Sequence, residues 1–298
     1  MEHLGLPDFS SADLFDATIL TIADATTRSQ MALERPRILT EASGYVALAG
    51  RNALDEIDAV AFEPENVSLE QLKALYERLR DRAAPRKLYE ELLSRARLKR
   101  CPYCSDREAE TLDHYLSKAE YAQFAVLAAN LVPSCYACNN KKNAYELARV
   151  DAQATTLHPY FDDVSGVRWL RARIVDGGGG PVARLFVDGS SIPEPAVRRK
   201  AMEHLRAFGL RKYFKLRSAQ ELAGLDDRLP RMLHESGRSA VVSELLAQAL
   251  QRAGGRSNSW EGALFEALSE SSWYLDTHLV GLKNLPLHGV DPRRPIPI

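Results

Sequence analysis

All four cysteines of the chain fall into two pairs, Cys101-Pro-Tyr-Cys104 and Cys135-Tyr-Ala-Cys138. No other feature of the sequence limits the fold as strongly. Each C-x2-C pair turns two sulfurs toward one point, and two such knuckles complete a tetrahedral shell of thiolates, the arrangement of a structural zinc site. A shell closed in this way leaves no position for a reacting water, so the metal is expected to contribute folding energy and no chemistry. The 30 residues between the pairs exceed the about fifteen to twenty of a simple zinc ribbon, so the intervening loop must carry something else. It contains an acid beside a histidine, Asp113-His114.

The remainder of the chain narrows the function classes. Its 298 residues are 45% hydrophobic, enough for a sizeable core or several packed segments. No apolar run reaches the roughly eighteen residues of a membrane span. The stretch from Met1 to Asp8 lacks the basic start and apolar block of a signal peptide. Thiols committed to metal, with none left over, fit a reducing cytoplasm. The net charge of −1 argues against a general nucleic-acid coat, so any basic footprint must be local. The candidates are Arg95-Ala-Arg97-Leu-Lys99-Arg100, just before the first cysteine pair, and Lys141-Lys142, just after the second. Solvated helix ends account for such clusters equally well.

The pattern divides the chain into a helical region over 1–97, a metal-rich module over 98–163, and a hairpin followed by helices over 164–298. The expected class is mainly α with a small α+β module. Ser68-Leu69-Glu70-Gln71 is a capping box, followed by Leu72, Leu75, Tyr76 and Leu79 at helical spacing. Pro85 suits a helix first turn, with Leu88, Leu92 and Leu93 as its apolar stripe. An amphipathic stretch runs from Ser11 to Ala25. In the module, Thr111–Tyr115 and Leu131–Pro133 read as short strands, Glu120–Phe124 as a turn or short helix, and Asn139–Ala148 as a helix, giving a ββα unit. Val167–Val175 and Val182–Val187 read as strands joined by a glycine-rich hairpin turn. Helices are expected over Pro195–Phe208, Ser218–Leu229, Ser239–Ala253 and Ser259–Tyr274, with Trp260 and Trp273 as core anchors.

The blocks Leu112-Asp113-His114-Tyr115-Leu116-Ser117-Lys118, Asn130-Leu131 and Cys135-x-x-Cys138-Asn139-x-x-Lys142 occur in this order. Together they resemble the HNH endonuclease family, whose members carry D-H-x-x-P-K, N-L and C-x-x-C-N-x-x-K on a ββα-metal fold. Ser117 departs from the usual proline, which should alter a turn and spare the chemistry. The resemblance implies that Asp113 and Asn139 hold Mg²⁺ or Mn²⁺, a hard cation that prefers oxygen ligands. It implies that His114 is the general base, with an ordinary pKa suited to that work. Asn130 would tie the loop after the first strand to the second strand. Lys142 and Lys118 would contact phosphate, with Lys141, Arg97, Lys99 and Arg100 as further substrate contacts. Asn140 competes with Asn139, and helix capping is a further role open to Asn139. His158, in Leu157-His158-Pro159-Tyr160-Phe161-Asp162, is either an extra metal ligand or a turn residue. More loosely, the flanks resemble HNH nucleases of Septu-type and retron-associated anti-phage systems, which implies an SMC-like ATPase partner.

Three functions follow: a Mg²⁺-dependent DNA endonuclease, a zinc-ordered nucleic-acid or protein adaptor without catalysis, and an RNase built on the same centre. Asp113-His114 favours catalysis, because an adaptor has no need of a base beside a hard-metal ligand.

Overall fold

The computed structural model describes residues 1–147 and 156–283, the side chains of 144–147 and 283 excepted. The fold is mainly helical with two small antiparallel sheets. It forms two compact units. The first comprises Met1–Trp169 and Asp188–Leu210; the second comprises Leu170–Val187 and the chain from Arg211. The regions read as 1–97 and 98–163 therefore share one unit.

In the first unit, α1 (Asp13–Ile19), α2 (Ala25–Gly50), α3 (Leu69–Asp81) and α4 (Ala83–Ser94) surround the hairpin of β1 (Thr111–His114) and β2 (Leu131–Ser134). The amphipathic stretch Ser11–Ala25 is thus a short helix, a turn, and the start of α2, which Asp24 caps by accepting from Thr27 N at 2.6 Å. The buried face of α2 is Met31, Glu34, Ile38, Ala42, Tyr45 and Ala49, spaced three or four apart. Pro36 lies on its exposed side beside exposed Ala32, so water can satisfy the carbonyl that Pro36 leaves unbonded. The α3 capping box is formed as the sequence requires: Gln71 N donates to Ser68 Oγ and Ser68 N to Gln71 Oε1. Leu14, Phe15, Met31, Ile38, Leu72, Leu75, Leu79 and Leu92 form a core that also takes in Leu112 of β1 and Leu131 of β2.

Two-stranded sheets leave open edges, and here tyrosines cover them. On β1, Tyr76 donates its hydroxyl hydrogen to Leu112 O at 2.8 Å, and Leu112 N donates to Tyr89 Oη at 3.3 Å. On β2, Tyr160 Oη donates to Leu131 O at 2.7 Å. After β2 comes α5 (Tyr136–Leu147). The helix expected from Asn139 begins at Tyr136, one residue past Cys135, so Cys138 and Asn139 lie in its first turn. Ala148, its expected end, lies outside the described residues. Next, α6 (Pro195–Ala207) backs the first knuckle: His204 Nε2 donates to Tyr103 O at 2.7 Å, and Phe208 stacks on the Tyr103 ring at 4.4 Å.

The second unit holds a hairpin of β3 (Leu170–Asp176) and β4 (Pro181–Val187), registered from Leu170 opposite Val187 to Asp176 opposite Pro181. Gly178 and Gly180 turn it at φ values of 79° and 141°, which only glycine adopts freely. The helices expected over Ser218–Leu229 and Ser239–Ala253 belong to one run, α7 (Leu210–Ala253), broken at Gly237, where φ is 80°. α8 (Trp260–Glu270) packs on β3. It is shorter than the expected Ser259–Tyr274; a π-helical turn over Tyr274–His278 and then α9 (Leu279–Lys283) follow. Trp260 is buried in the core, whereas Trp273 is half-buried and stacks on His278 at 5.5 Å.

Candidate functional site

The two knuckles form by different local means. In the first, Cys101 N donates to Arg107 O, Ser105 N to Cys101 O, and Arg107 N to Cys104 Sγ at 3.4 Å, with Ser105 in the left-handed region at φ 55°. In the second, β2 delivers Cys135 and the first turn of α5 delivers Cys138, whose N–H donates to Cys135 Sγ at 3.4 Å. All four sulfurs are buried and lie within 4.8 Å of one another. A tetrahedron with zinc–sulfur bonds of about 2.3 Å has edges of about 3.8 Å. The cluster therefore fits zinc after small adjustments. Its protonation chemistry agrees: burial drives the Cys101 thiol well above its ordinary pKa, while hydrogen bonds from the other thiols depress Cys135. A soft divalent cation resolves that competition by replacing the shared protons.

Strand alternation splits Asp113 from His114. Leu112 and His114 face the α3 side, where the His114 ring meets Tyr76 edge-on at 4.4 Å. Asp113 faces the other way, toward Tyr103 of the first knuckle and Lys142 of α5. Its Oδ2 accepts from Tyr103 Oη at 2.8 Å and lies 3.4 Å from Lys142 Nζ. Its Oδ1 is buried and has no hydrogen-bond partner among the described residues. Burial raises the Asp113 pKa, and the Lys142 ammonium opposes that rise. A buried acceptor without a partner costs about 1–3 kcal/mol, a cost that a cation at Oδ1 would remove.

His114 Nε2 lies 2.9 Å from Ala125 O. A carbonyl only accepts, so Nε2 carries the hydrogen and Nδ1 keeps the lone pair. In place of the ordinary value expected of a general base, burial lowers the pKa of this histidine to about 3, so the imidazole is neutral at neutral pH. Asp113 and His114 border one cleft of about 290 Å³, with Ser117, Lys118, Asn139 and Asn143 along its walls. Asn139 lines it and the neighbouring Asn140 does not. The Asn139 carbonyl oxygen accepts from Asn143 Nδ2 at 3.1 Å and keeps a second lone pair for a cation. The residues bordering the cleft thus include a carboxylate and an amide, donor types that suit Mg²⁺ or Mn²⁺.

Asn130 is fully buried. Its Oδ1 accepts from Leu116 N at 2.7 Å and Tyr45 Oη at 3.1 Å; its Nδ2 donates to Leu116 O at 3.0 Å and Phe124 O at 3.2 Å. It therefore ties the loop after β1 to the segment whose next residue, Ala125, orients His114.

Two residues sit otherwise than the sequence reading placed them. Lys142, expected on phosphate, is only 2% exposed, and its ammonium donates to His114 O at 2.6 Å beside Asp113. Its position on α5 points it at the strand. His158, raised as an extra metal ligand, is 1% exposed with both nitrogens engaged: Nδ1 accepts from Tyr160 N and Nε2 meets Tyr45 Oη at 3.0 Å. With its ring against Tyr115 at 3.9 Å, it is a packed turn residue. Lys118 borders the cleft, paired with Glu77 and lying over the Tyr76 ring at 4.8 Å. Lys141, Arg97 and Lys99 are exposed and Arg100 is half-buried. Tyr103, Tyr45 and Tyr76 support the site without having been singled out for it. Tyr103 sits inside the Cys-Pro-Tyr-Cys string; Tyr45 carries no local signal, because its partners lie 85 and 113 residues away.

The chain is 26% identical over 233 residues to Protein ea31 of Escherichia phage lambda, an alignment spanning 75% of this chain and 78% of that protein. No family model matches the sequence, and no solved structure matches it.

Proposed function

We propose that the protein is a divalent-cation-dependent endonuclease of the HNH type that hydrolyses phosphodiester bonds in DNA. One observation carries this reading: an unpartnered buried carboxylate oxygen, Asp113 Oδ1, and an imidazole oriented through its other nitrogen, that of His114, border the same cleft. A cation held by Asp113 and Asn139 would neutralise charge developing on the phosphate and the leaving oxygen. His114 takes a proton from the attacking water at Nδ1, and the Ala125 carbonyl on Nε2–H stabilises the imidazolium that results. The position of Asp113 and His114 on opposite faces of β1 lets them work from two sides of the scissile phosphate. Lys142 offsets the buried charge of Asp113, and Asn130 holds the loop that fixes the base. The resemblance of the flanks implies a setting in anti-phage defence, under the control of an SMC-like ATPase.

A zinc-ordered adaptor is the second reading. It explains the cysteine cluster and leaves the unpartnered Asp113 oxygen without a reason. The test is incubation of purified protein with supercoiled plasmid, linear duplex, single-stranded DNA and RNA, in Mg²⁺, in Mn²⁺ and in EDTA. Nicking or cutting of DNA in Mg²⁺ or Mn²⁺, and none in EDTA, is expected. Cleavage of RNA alone moves the assignment to an RNase, and cleavage that persists in EDTA overturns the cation chemistry.

A further inference from the structure

The turn between α4 and the first knuckle has a composition that folding does not explain. Arg97-Leu98-Lys99-Arg100 is closed by Arg100 N donating to Arg97 O at 3.0 Å, with φ of 52° at Leu98 and 57° at Lys99. Two successive positive φ values define a type I′ turn, where asparagine and glycine are at ease and a leucine is strained. Leu98 is also 79% exposed. Neither backbone preference nor burial therefore accounts for a leucine at this position. Strain of this kind persists where the surroundings over-determine it, and it clusters at sites that bind.

The surroundings meet that condition. Lys99 O accepts from Ala109 N at 2.7 Å, Arg100 pairs with Glu108, and Cys101 of the knuckle follows directly. The turn is thus braced by the backbone of the first knuckle. Charge indicates the partner. Arg97 and Arg100 flank the tip; Lys99 has no ionic partner among the described residues, Arg97 is exposed and loosely paired with Glu2 at 3.9 Å, and half-buried Arg100 donates to Ser105 O at 3.5 Å. Arg95, in contrast, is occupied by the carbonyls of Leu4, Gly5 and Leu6. An apolar side chain held out by a rigid turn among cationic side chains is how proteins enter the DNA minor groove and part a base step.

We infer that Leu98 is a wedge that inserts between two base pairs from the minor groove of a DNA duplex, with Arg97, Lys99 and Arg100 on the neighbouring phosphates. This deepens the nuclease reading and rests on it. The turn joins at the Thr111 end of β1, whereas the cleft lies at the His114 end. The wedge and the cleft are therefore at opposite ends of β1, a strand of on the order of 13 Å. An acidic protein partner is the competing occupant.

The experiment uses the full chain carrying His114→Ala, which can bind without cutting. Duplexes with 2-aminopurine at successive steps report unstacking, and fluorescence anisotropy reports affinity. Leu98→Asn should melt at the same temperature or about 2 °C higher, because asparagine suits the turn. It should bind duplex about ten-fold more weakly and abolish the 2-aminopurine signal, while Leu98→Met keeps both. A Leu98→Asn variant that unstacks and binds like its parent overturns the wedge, and so does a parent that does not bind duplex. Failure of the nuclease reading is seen separately, as a wild-type chain that cleaves no nucleic acid.

Discussion

Replacing Asn130 by alanine should be among the most damaging single changes in the first unit. The side chain makes four hydrogen bonds, two as acceptor and two as donor, and every partner is buried. Tyr45 Oη keeps His158 as a neighbour, so it is not stranded. Leu116 N and Leu116 O lose their side-chain partner, whereas Phe124 O still accepts from Leu127 N at 3.2 Å. At about 1–3 kcal/mol for each of these two buried groups left unpaired, and with some relief from water entering the space, the cost is about 2–4 kcal/mol. Asn130→Asp serves as the isosteric control. It keeps the acceptor and turns a carboxylate oxygen toward two carbonyl oxygens, so its cost should be comparable. Urea unfolding followed by tryptophan fluorescence is the assay. The midpoint should fall by about 1–2 M with little change in slope. A loss below about 1 kcal/mol for Asn130→Ala would refute the reasoning, because the network would then be ornamental.

Three further outcomes are expected. Metal analysis should find one zinc per chain, and a strong chelator should unfold the first unit; full retention of helical ellipticity after zinc removal would contradict a structural site. Lys142→Met leaves the buried Asp113 carboxylate without its ammonium and should cost about 3–5 kcal/mol, and the double variant with Asp113→Asn should recover much of that in a thermodynamic cycle; purely additive losses would exclude the pairing. His204 is buried, and its pKa is lowered to about 3 by that burial, so its neutral form stabilises the fold above the unfolded value near 6.5 and the stabilisation is lost as the pH falls toward 3. At pH 5 the loss should be about 2 kcal/mol, and His204→Gln should flatten the dependence between pH 6.5 and 4; an unchanged slope in that variant would assign the effect elsewhere.

Local chemistry was legible in the sequence and long-range chemistry was not. The capping box of α3 is written in four consecutive residues, and the pairing of the cysteines in eight. The short strands β1 and β2 announce themselves as brief extended runs beside the knuckles. α5 starts at Tyr136, earlier than the sequence suggests, because a helix can begin between the two cysteines of a knuckle as readily as after them. The long α2 did not stand out, because its buried stripe includes Ala42, Tyr45, Ala49 and Glu34 and its exposed side carries Pro36. The break at Gly237, with φ of 80° inside one helical run, depends on a backbone angle that no neighbour dictates. In the site, sequence adjacency identified Asp113 and His114, but not that Lys142 points inward to Asp113 or that Tyr45 links Asn130 to His158. Those contacts join residues between 29 (Lys142 to Asp113) and 113 positions apart, and only the packed core selects them.

Single-turnover cleavage of supercoiled plasmid in Mg²⁺ or Mn²⁺ by the wild-type chain and by His114→Ala, with zinc content and circular dichroism measured on both, tests the nuclease most directly. The wild type should nick or linearise the plasmid, and the variant should keep its zinc and its helical signal while losing at least about a hundred-fold in rate. Equal cleavage by a folded, zinc-loaded His114→Ala protein would contradict the central claim.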